Sequence, residues 1–388
     1  MICMKRMLVA LRSYVQGPGI MPEIGEHVAL LGDNAVVVGG NTALKNTRDA
    51  ISKSLAEHKI KYVFELFSGE TTLQEIERLE NFASTQKANL IIGVGGGKVI
   101  DTVKVVADDL NIPVALVPTV VASDAPCSAL SIIYKEDGTI KQFRTLREHP
   151  ALVFVDTQII ARAPVRFLVA GMGDALSTRF EADACFSSGA KNFIGTYTTS
   201  AALAIARLCY DSLINYGYLA KMAVENKTAV PALEKVVEAV ILHSGLGFEN
   251  VGVAAAHAIQ DGFVTLEDTS GFLHGEKVAF CTLVQLVLEN RGVDLLNEVY
   301  GFCHSVGLPI TLAEIGVSSS DRDKLLQVAR VAMESPLKMM ENLPFPVTAH
   351  DIYDAILFAD ALGNLFHSRQ AINEHASVNP RLETGNQL

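Results

Sequence analysis

The segment Leu90-Ile91-Ile92-Gly93-Val94-Gly95-Gly96-Gly97-Lys98 constrains the fold more than any other stretch of the chain. Its apolar run has no polar position to form a solvent face, which predicts a strand buried on both sides, as in a parallel sheet. The glycines predict a tight turn, and Val99-Ile100-Asp101-Thr102-Val103-Lys104-Val105-Val106-Ala107 predicts a helix opening from it. Strand, glycine turn and helix in that order make a phosphate cradle. With no side chains in the way, backbone N–H groups reach an anion, and the helix N-terminus adds roughly half a positive charge. The turn lacks the Ser or Thr that follows Gly-Lys in a P-loop, and it is not the usual dinucleotide fingerprint on a first strand. Taken alone, it is also readable as close strand-to-helix packing.

The pattern repeats on either side. Ala35-Val36-Val37-Val38 predicts a strand and residues around Asp49-Ala50-Ile51 a helix; residues 62–67 predict a second buried strand, residues 73–83 a helix, and residues 113–117 a further strand. This α/β half ends near Val155-Asp156, and helical periodicity takes over, for instance in residues 200–213 and 231–242. Pro164 fits the start of the first such helix, where a missing N–H does no harm. The reading is a dinucleotide-binding domain with a parallel sheet over residues 1–163 and an all-α, metal- and substrate-binding domain over 164–388, with a polar tail from Asn373 that frays.

A chain of 388 residues, 49% apolar and 19% charged, is long enough for two cores. A net charge of -11, from 43 acidic and 32 basic side chains, argues against nucleic acid or an anionic membrane as partner, since both recruit Lys and Arg. The expected partner is a small molecule. Six cysteines without a C-x-x-C pair point to reduced thiols rather than a disulfide framework or a thiolate zinc site. Lys5, Arg6 and Arg12 interrupt the apolar start, so no signal peptide is read. No stretch reaches the ~20 apolar residues of a spanning helix, and the expected location is the cytoplasm.

Three segments carry candidate metal ligands among small or apolar neighbours: Gly171-Met172-Gly173-Asp174, Ala254-Ala255-Ala256-His257 and Gly271-Phe272-Leu273-His274. A carboxylate and two imidazoles suit a divalent metal with an open coordination position. A single buried histidine is more often a hydrogen-bonded core residue, and no compact H-E-x-x-H element is present. In many dinucleotide folds an acidic residue at a strand end holds the ribose 2′-hydroxyl; here the strand Val36-Val37-Val38-Gly39 runs into Gly40-Asn41, and nothing there repels a 2′-phosphate.

These segments, with Pro118-Thr119, residues 123–131, Gly245-Leu246-Gly247-Phe248-Glu249-Asn250 and residues 274–280, resemble the iron-containing alcohol dehydrogenase superfamily in its zinc-using glycerol dehydrogenase branch. The motifs keep family order from about residue 14 to about residue 370. The resemblance implies a dehydroquinate synthase-like fold, and Asp174, His257 and His274 as Zn2+ ligands. It makes Asp124 the residue that contacts the polyol, with His257 beside it in catalysis and Phe248 lining the substrate pocket. Together with the cradle residues Gly95 and Gly96, it places Gly97, Lys98, Thr119, Ser128, Leu130 and Tyr134 against the cofactor.

The implied reaction is reversible oxidation of glycerol to dihydroxyacetone with hydride transfer to NAD. Gly40, standing where the family carries an acidic residue, keeps NADP beside NAD; Ala122 replaces a hydroxyl beside the cofactor, and Ser123 a threonine. Relatives that form rings of eight imply a homo-oligomer. The alternatives are another vicinal diol, a 2-hydroxy acid or glycerol 1-phosphate as substrate, a dehydroquinate synthase-like lyase that releases phosphate without net NADH, or a non-catalytic nucleotide-binding protein.

Overall fold

Six strands share one parallel sheet in a computed structural model of the protein, which describes residues 5–136 and 138–378. In chain order the strands are β1 (Tyr14–Gly17), β2 (Asn34–Gly39), β3 (Lys61–Leu66), β4 (Leu90–Gly95), β5 (Val114–Pro118), β6 (Leu130–Tyr134), β7 (Ile140–Thr145) and β8 (Leu152–Asp156). The sheet order is β1-β8-β5-β4-β2-β3, and β6 pairs with β7 in a separate antiparallel hairpin. Every residue of β4 and β5 is buried, because helices cover both faces of a parallel sheet and leave no position for a polar side chain. Each fully buried isoleucine of β4 contributes about 1.5–3 kcal/mol relative to an exposed one.

The apolar runs read as strands are β2, β3, β4 and β5, and one reading needs correction. β3 lies at the sheet edge, with Tyr62 37% and Leu66 46% exposed, so it is not a buried strand. Its ring Phe64 is covered by the Arg48 guanidinium at 4.5 Å. On the opposite edge, β1 has too few residues for any periodicity to show. It is held by parallel pairing with β8, and beyond it the Asp156 carboxylate accepts the N–H groups of Gly19 and Met21 at 2.8 and 2.9 Å.

From β2 the chain passes to β3 on one side and then returns to β4 on the other, so strand order reverses between β2 and β4. Open α/β sheets bind ligands beyond the carboxyl ends of the strands at such a point. The two ends there are Gly39-Gly40 and Gly95-Gly96, with Gly39 in register with Val94.

After β8 every regular element among the described residues is a helix. A single turn, Thr157–Ile160, comes first, and the first long helix, Val165–Ser188, is capped by Pro164. The stretch 231–242, read as one helix, is α-helical only over Pro231–Glu238; a π turn, Ala239–His243, follows and leads into the helix Ser244–Val251. The chain divides into two compact units, Met1–Val253 and Ala254–Leu388, so the change to helix falls inside the first. The last helix, Ala349–Val378, takes in the start of the segment expected to fray; residues 379–388, like Cys3, lie outside the described residues. Cys127, Cys185, Cys209, Cys281 and Cys303 are buried thiols outside any disulfide, and among the described residues no single helix is long and apolar enough to cross a membrane.

Candidate active site

The helix Gly97–Leu110 begins directly after β4, with Gly96 as its N-cap, so Gly97 and Lys98 are already helical. The glycines around this turn divide by what a side chain would meet. At Gly93 an added Cβ would sit 2.4 Å from Val103 Cγ2, and at Gly95 2.8 Å from Val99 Cγ2, so both serve strand-to-helix packing. At Gly97 the nearest atom would be Ser123 Oγ at 3.7 Å, and its φ is not in the left-handed region. Neither packing nor backbone conformation requires glycine there, whereas an anion seated on the helix N-terminus would. Lys98 extends from this turn to an ion pair with Glu70 at 2.5 Å.

Residues 119–134 border the same end of the sheet. The Thr119 N–H donates to Gly95 O at 3.0 Å, which ties the end of β5 to the cradle. Asp124 precedes a short 3-10 turn, Ala125–Cys127, then Ser128 leads into β6, which starts at Leu130 and ends at Tyr134. The Tyr134 N–H donates to Thr71 O at 2.8 Å, and the Thr71 hydroxyl to Lys98 O at 2.9 Å. Burial, with the nearby Asp101 and Glu70 charges, pushes the Tyr134 phenol up to about 12, so it remains a hydrogen-bond donor at neutral pH. Burial likewise raises the Cys127 thiol, and Asp124 adds to the shift, so Cys127 is no nucleophile.

Two helices grip this segment through glycines. A Cβ at Gly171 would meet Val121 O at 2.5 Å, and one at Gly245 would meet Cys127 Cβ at 2.8 Å and Asp124 O at 3.1 Å. The π turn adds a residue to the helical path just ahead of Ser244, a device that recurs at functional sites. Ser244 donates to Asp124 Oδ2 at 2.6 Å and lies 2.8 Å from the Thr178 hydroxyl. On the helix Ser244–Val251 only Phe248 is not fully buried, and its ring meets Phe193 edge to face at 5.8 Å.

Sequence reasoning missed the groups that hold these residues. Ser244 is one. With Asp124 in the substrate-contacting role that the resemblance implies, replacing Ser244 with Ala is expected to lower kcat about tenfold while KM for the cofactor stays within twofold, because one charge-assisted hydrogen bond of about 1.5–3 kcal/mol orients Asp124. Steady-state kinetics with each substrate varied in turn checks this. Lys104 is another, a lysine buried completely, and Glu249 a third, its carboxylate accepting the Ala129 N–H at 2.9 Å and meeting His149 Nε2 at 2.6 Å. The only sequence signal for Lys104 was its position among Val103, Val105 and Val106 in a helix apolar on all sides.

Asp174 is buried on the helix Val165–Ser188. His257 stands in the first turn of the helix Ala255–Val264, and His274 opens the helix His274–Leu288; their rings are 5.4 Å apart. Each helix start is fixed by a hydrogen bond. The buried amide of Gln285 accepts the Ala256 N–H at 2.9 Å, and the Glu276 carboxylate accepts the Leu273 N–H at 2.7 Å. One ligand atom each from Asp174, His257 and His274 lies within 4.8 Å of the other two, with Asp174 buried, His257 partly buried and His274 exposed. A carboxylate with two imidazoles at this spacing fits a divalent cation of the zinc or late first-row class and leaves coordination positions open.

The chain is similar to known proteins along nearly its whole length. Residues 12–157 match the family model described as iron-containing alcohol dehydrogenase. Glycerol dehydrogenase of Thermotoga maritima is 46% identical over 352 residues, 91% of this chain and 96% of its own. The crystal structure of a probable glycerol dehydrogenase from Sinorhizobium meliloti superposes with a TM-score of 0.87 at 40% identity, covering 93% of this chain and 99% of that one. That of glycerol dehydrogenase from Schizosaccharomyces pombe gives 0.90 at 35% identity, covering 95% and 93%. With relatives this similar along nearly its whole length, the chain belongs to the glycerol dehydrogenase branch of the iron-containing alcohol dehydrogenase family.

Proposed function

We propose that the protein is a cytoplasmic, metal-dependent dehydrogenase that interconverts glycerol and dihydroxyacetone with a nicotinamide cofactor, and that Asp174, His257 and His274 hold the metal. The observation that carries this reading is the gathering of one carboxylate and two imidazoles within 4.8 Å in a chain 46% identical to a glycerol dehydrogenase. A cation on these ligands supplies Lewis acidity that makes a substrate hydroxyl easier to deprotonate.

The chain's own residues supply the rest. Gly96 and Gly97 leave room for a pyrophosphate on the helix N-terminus, with Gly95 packing the strand end against the helix, Lys98 beside the anion and Thr119 tied to Gly95 O. Ser128, Leu130 and the protonated Tyr134 contact the same cofactor. Asp124, aimed by Ser244, accepts a hydrogen bond from the polyol and passes its proton towards solvent, while Phe248 offers the apolar wall of the pocket. His257 belongs to both the ligand set and the substrate site. Assembly as a homo-oligomer is part of the same proposal.

Spectrophotometry at the reduced-nicotinamide band, with glycerol and NAD or NADP before and after chelation, tests the reading. Chelator-sensitive reduction is expected; phosphate release from a phosphorylated substrate without net NADH would replace it with the lyase alternative.

Cofactor choice rests on Gly40. It caps the helix Asn41–Glu57, whose first turn has no acidic residue, and an added Cβ there would meet nothing within 4 Å. Gly40→Asp is therefore expected to fold normally and to shift the NAD-to-NADP ratio of kcat/KM at least about tenfold towards NAD, since a carboxylate accepts from the ribose hydroxyl and repels a 2′-phosphate. Comparing kcat/KM for the two cofactors in wild type and variant decides this.

A further inference from the structure

Lys104 lies on the helix Gly97–Leu110, two turns beyond the glycine cradle, and none of its side chain is exposed. Its ammonium donates to Ala125 O at 2.8 Å, to Leu130 O, and more weakly to Ser128 O at 3.4 Å. The Asp101 carboxylate stands 3.1 Å away and takes the Ile132 N–H at 3.2 Å. Burial raises the Asp101 pKa against the lowering effect of Lys104. From the other side, the buried Glu249 carboxylate takes the Ala129 N–H at 2.9 Å. Residues 125–132 are thus held by one buried cation through their carbonyls and by two buried carboxylates through their N–H groups.

A buried charge is expensive unless fully hydrogen-bonded, and a loop of this length could be held by ordinary turn contacts. The segment so held follows directly on Asp124, carries Ser128 and Leu130, and leads into Tyr134 two residues beyond it. We propose that Lys104 is a positioning residue, its buried ammonium fixing the carbonyls of residues 125–130 so that Asp124 meets the polyol and Ser128 and Leu130 meet the cofactor. Lys104 touches neither ligand. The inference rests on the functional reading above, because it takes from there what the loop binds.

The test uses the full-length, metal-loaded protein with two variants, Lys104→Met and the double variant Asp101→Asn with Lys104→Met, which removes both charges together and leaves neither unpaired. Hydrogen exchange is followed by mass spectrometry alongside NADH binding by fluorescence and steady-state kinetics. The expected result is faster exchange confined to residues 124–134, at least tenfold weaker NADH binding and at least tenfold higher KM for glycerol. Both variants should keep a cooperative thermal transition and their full metal content. Wild-type exchange and affinities in folded variants would overturn the proposal. So would loss of the fold in both variants, since the ammonium would then support the domain rather than the loop. A wild type that bound no nicotinamide would overturn the functional reading and this inference together, whereas unchanged binding in the variants overturns the inference alone.

Discussion

Exhaustive chelation of the purified protein is expected to lower glycerol-dependent reduction of nicotinamide by about a thousandfold or more, with activity restored by zinc or another divalent cation of the same class. Polarising an alcohol oxygen is worth several kcal/mol in the transition state, and each ~1.4 kcal/mol is a factor of ten in rate. His257→Ala and Asp174→Asn are expected to match the chelated enzyme, each losing bound metal in elemental analysis as well as turnover. Asp174 is the stricter case, because Asn keeps its size within a buried helix and removes only the charge and one oxygen. His350→Ala serves as the control: this exposed histidine lies outside the ligand cluster, and its loss should leave metal content and rate unchanged. A His257→Ala enzyme with full activity and no bound metal would remove the cation from the reaction.

That cluster also marks a limit on what the chain discloses unfolded. Asp174, His257 and His274 are far apart in sequence, and a single buried histidine is more often a packed core residue, so spacing could offer them only as a candidate set and the resemblance was needed to name them as ligands. The strands β2, β4 and β5 were legible because a fully buried strand shows an unbroken apolar run. By the same rule β3 was misread, since Tyr62 and Leu66 are apolar yet stand on an edge. The π turn Ala239–His243 left no trace in composition, because an extra residue in a helical turn changes register and not residue type. It bears on the proposed function nonetheless, as it precedes the serine that holds Asp124. Lys104 was hidden for a different reason: a lysine in a helix normally marks the solvent face, and only the fold reveals that this one faces carbonyls.

The glycine turn allows a test in which stability and binding move in opposite directions. Gly97 opens the helix Gly97–Leu110 with space around it, so Gly97→Asp places a carboxylate in the first helical turn, where it interacts favourably with the helix dipole by about 0.3–1 kcal/mol. The variant is expected to melt at or above the wild-type temperature. The same carboxylate would stand where a pyrophosphate must sit, and two like charges about 4 Å apart repel by about 4 kcal/mol at an effective dielectric constant of about 20. NADH binding should therefore weaken at least a hundredfold. Gly93→Ala is expected to behave in the opposite way: its methyl would lie 2.4 Å from Val103 Cγ2, so overpacking costs about 1–3 kcal/mol of stability, while the folded protein binds NADH with wild-type affinity. Thermal melts and fluorescence titrations of the two variants separate a glycine kept for a ligand from one kept for packing. Undiminished NADH binding by Gly97→Asp would show that the turn only joins strand to helix, and would move the cofactor site elsewhere on the sheet.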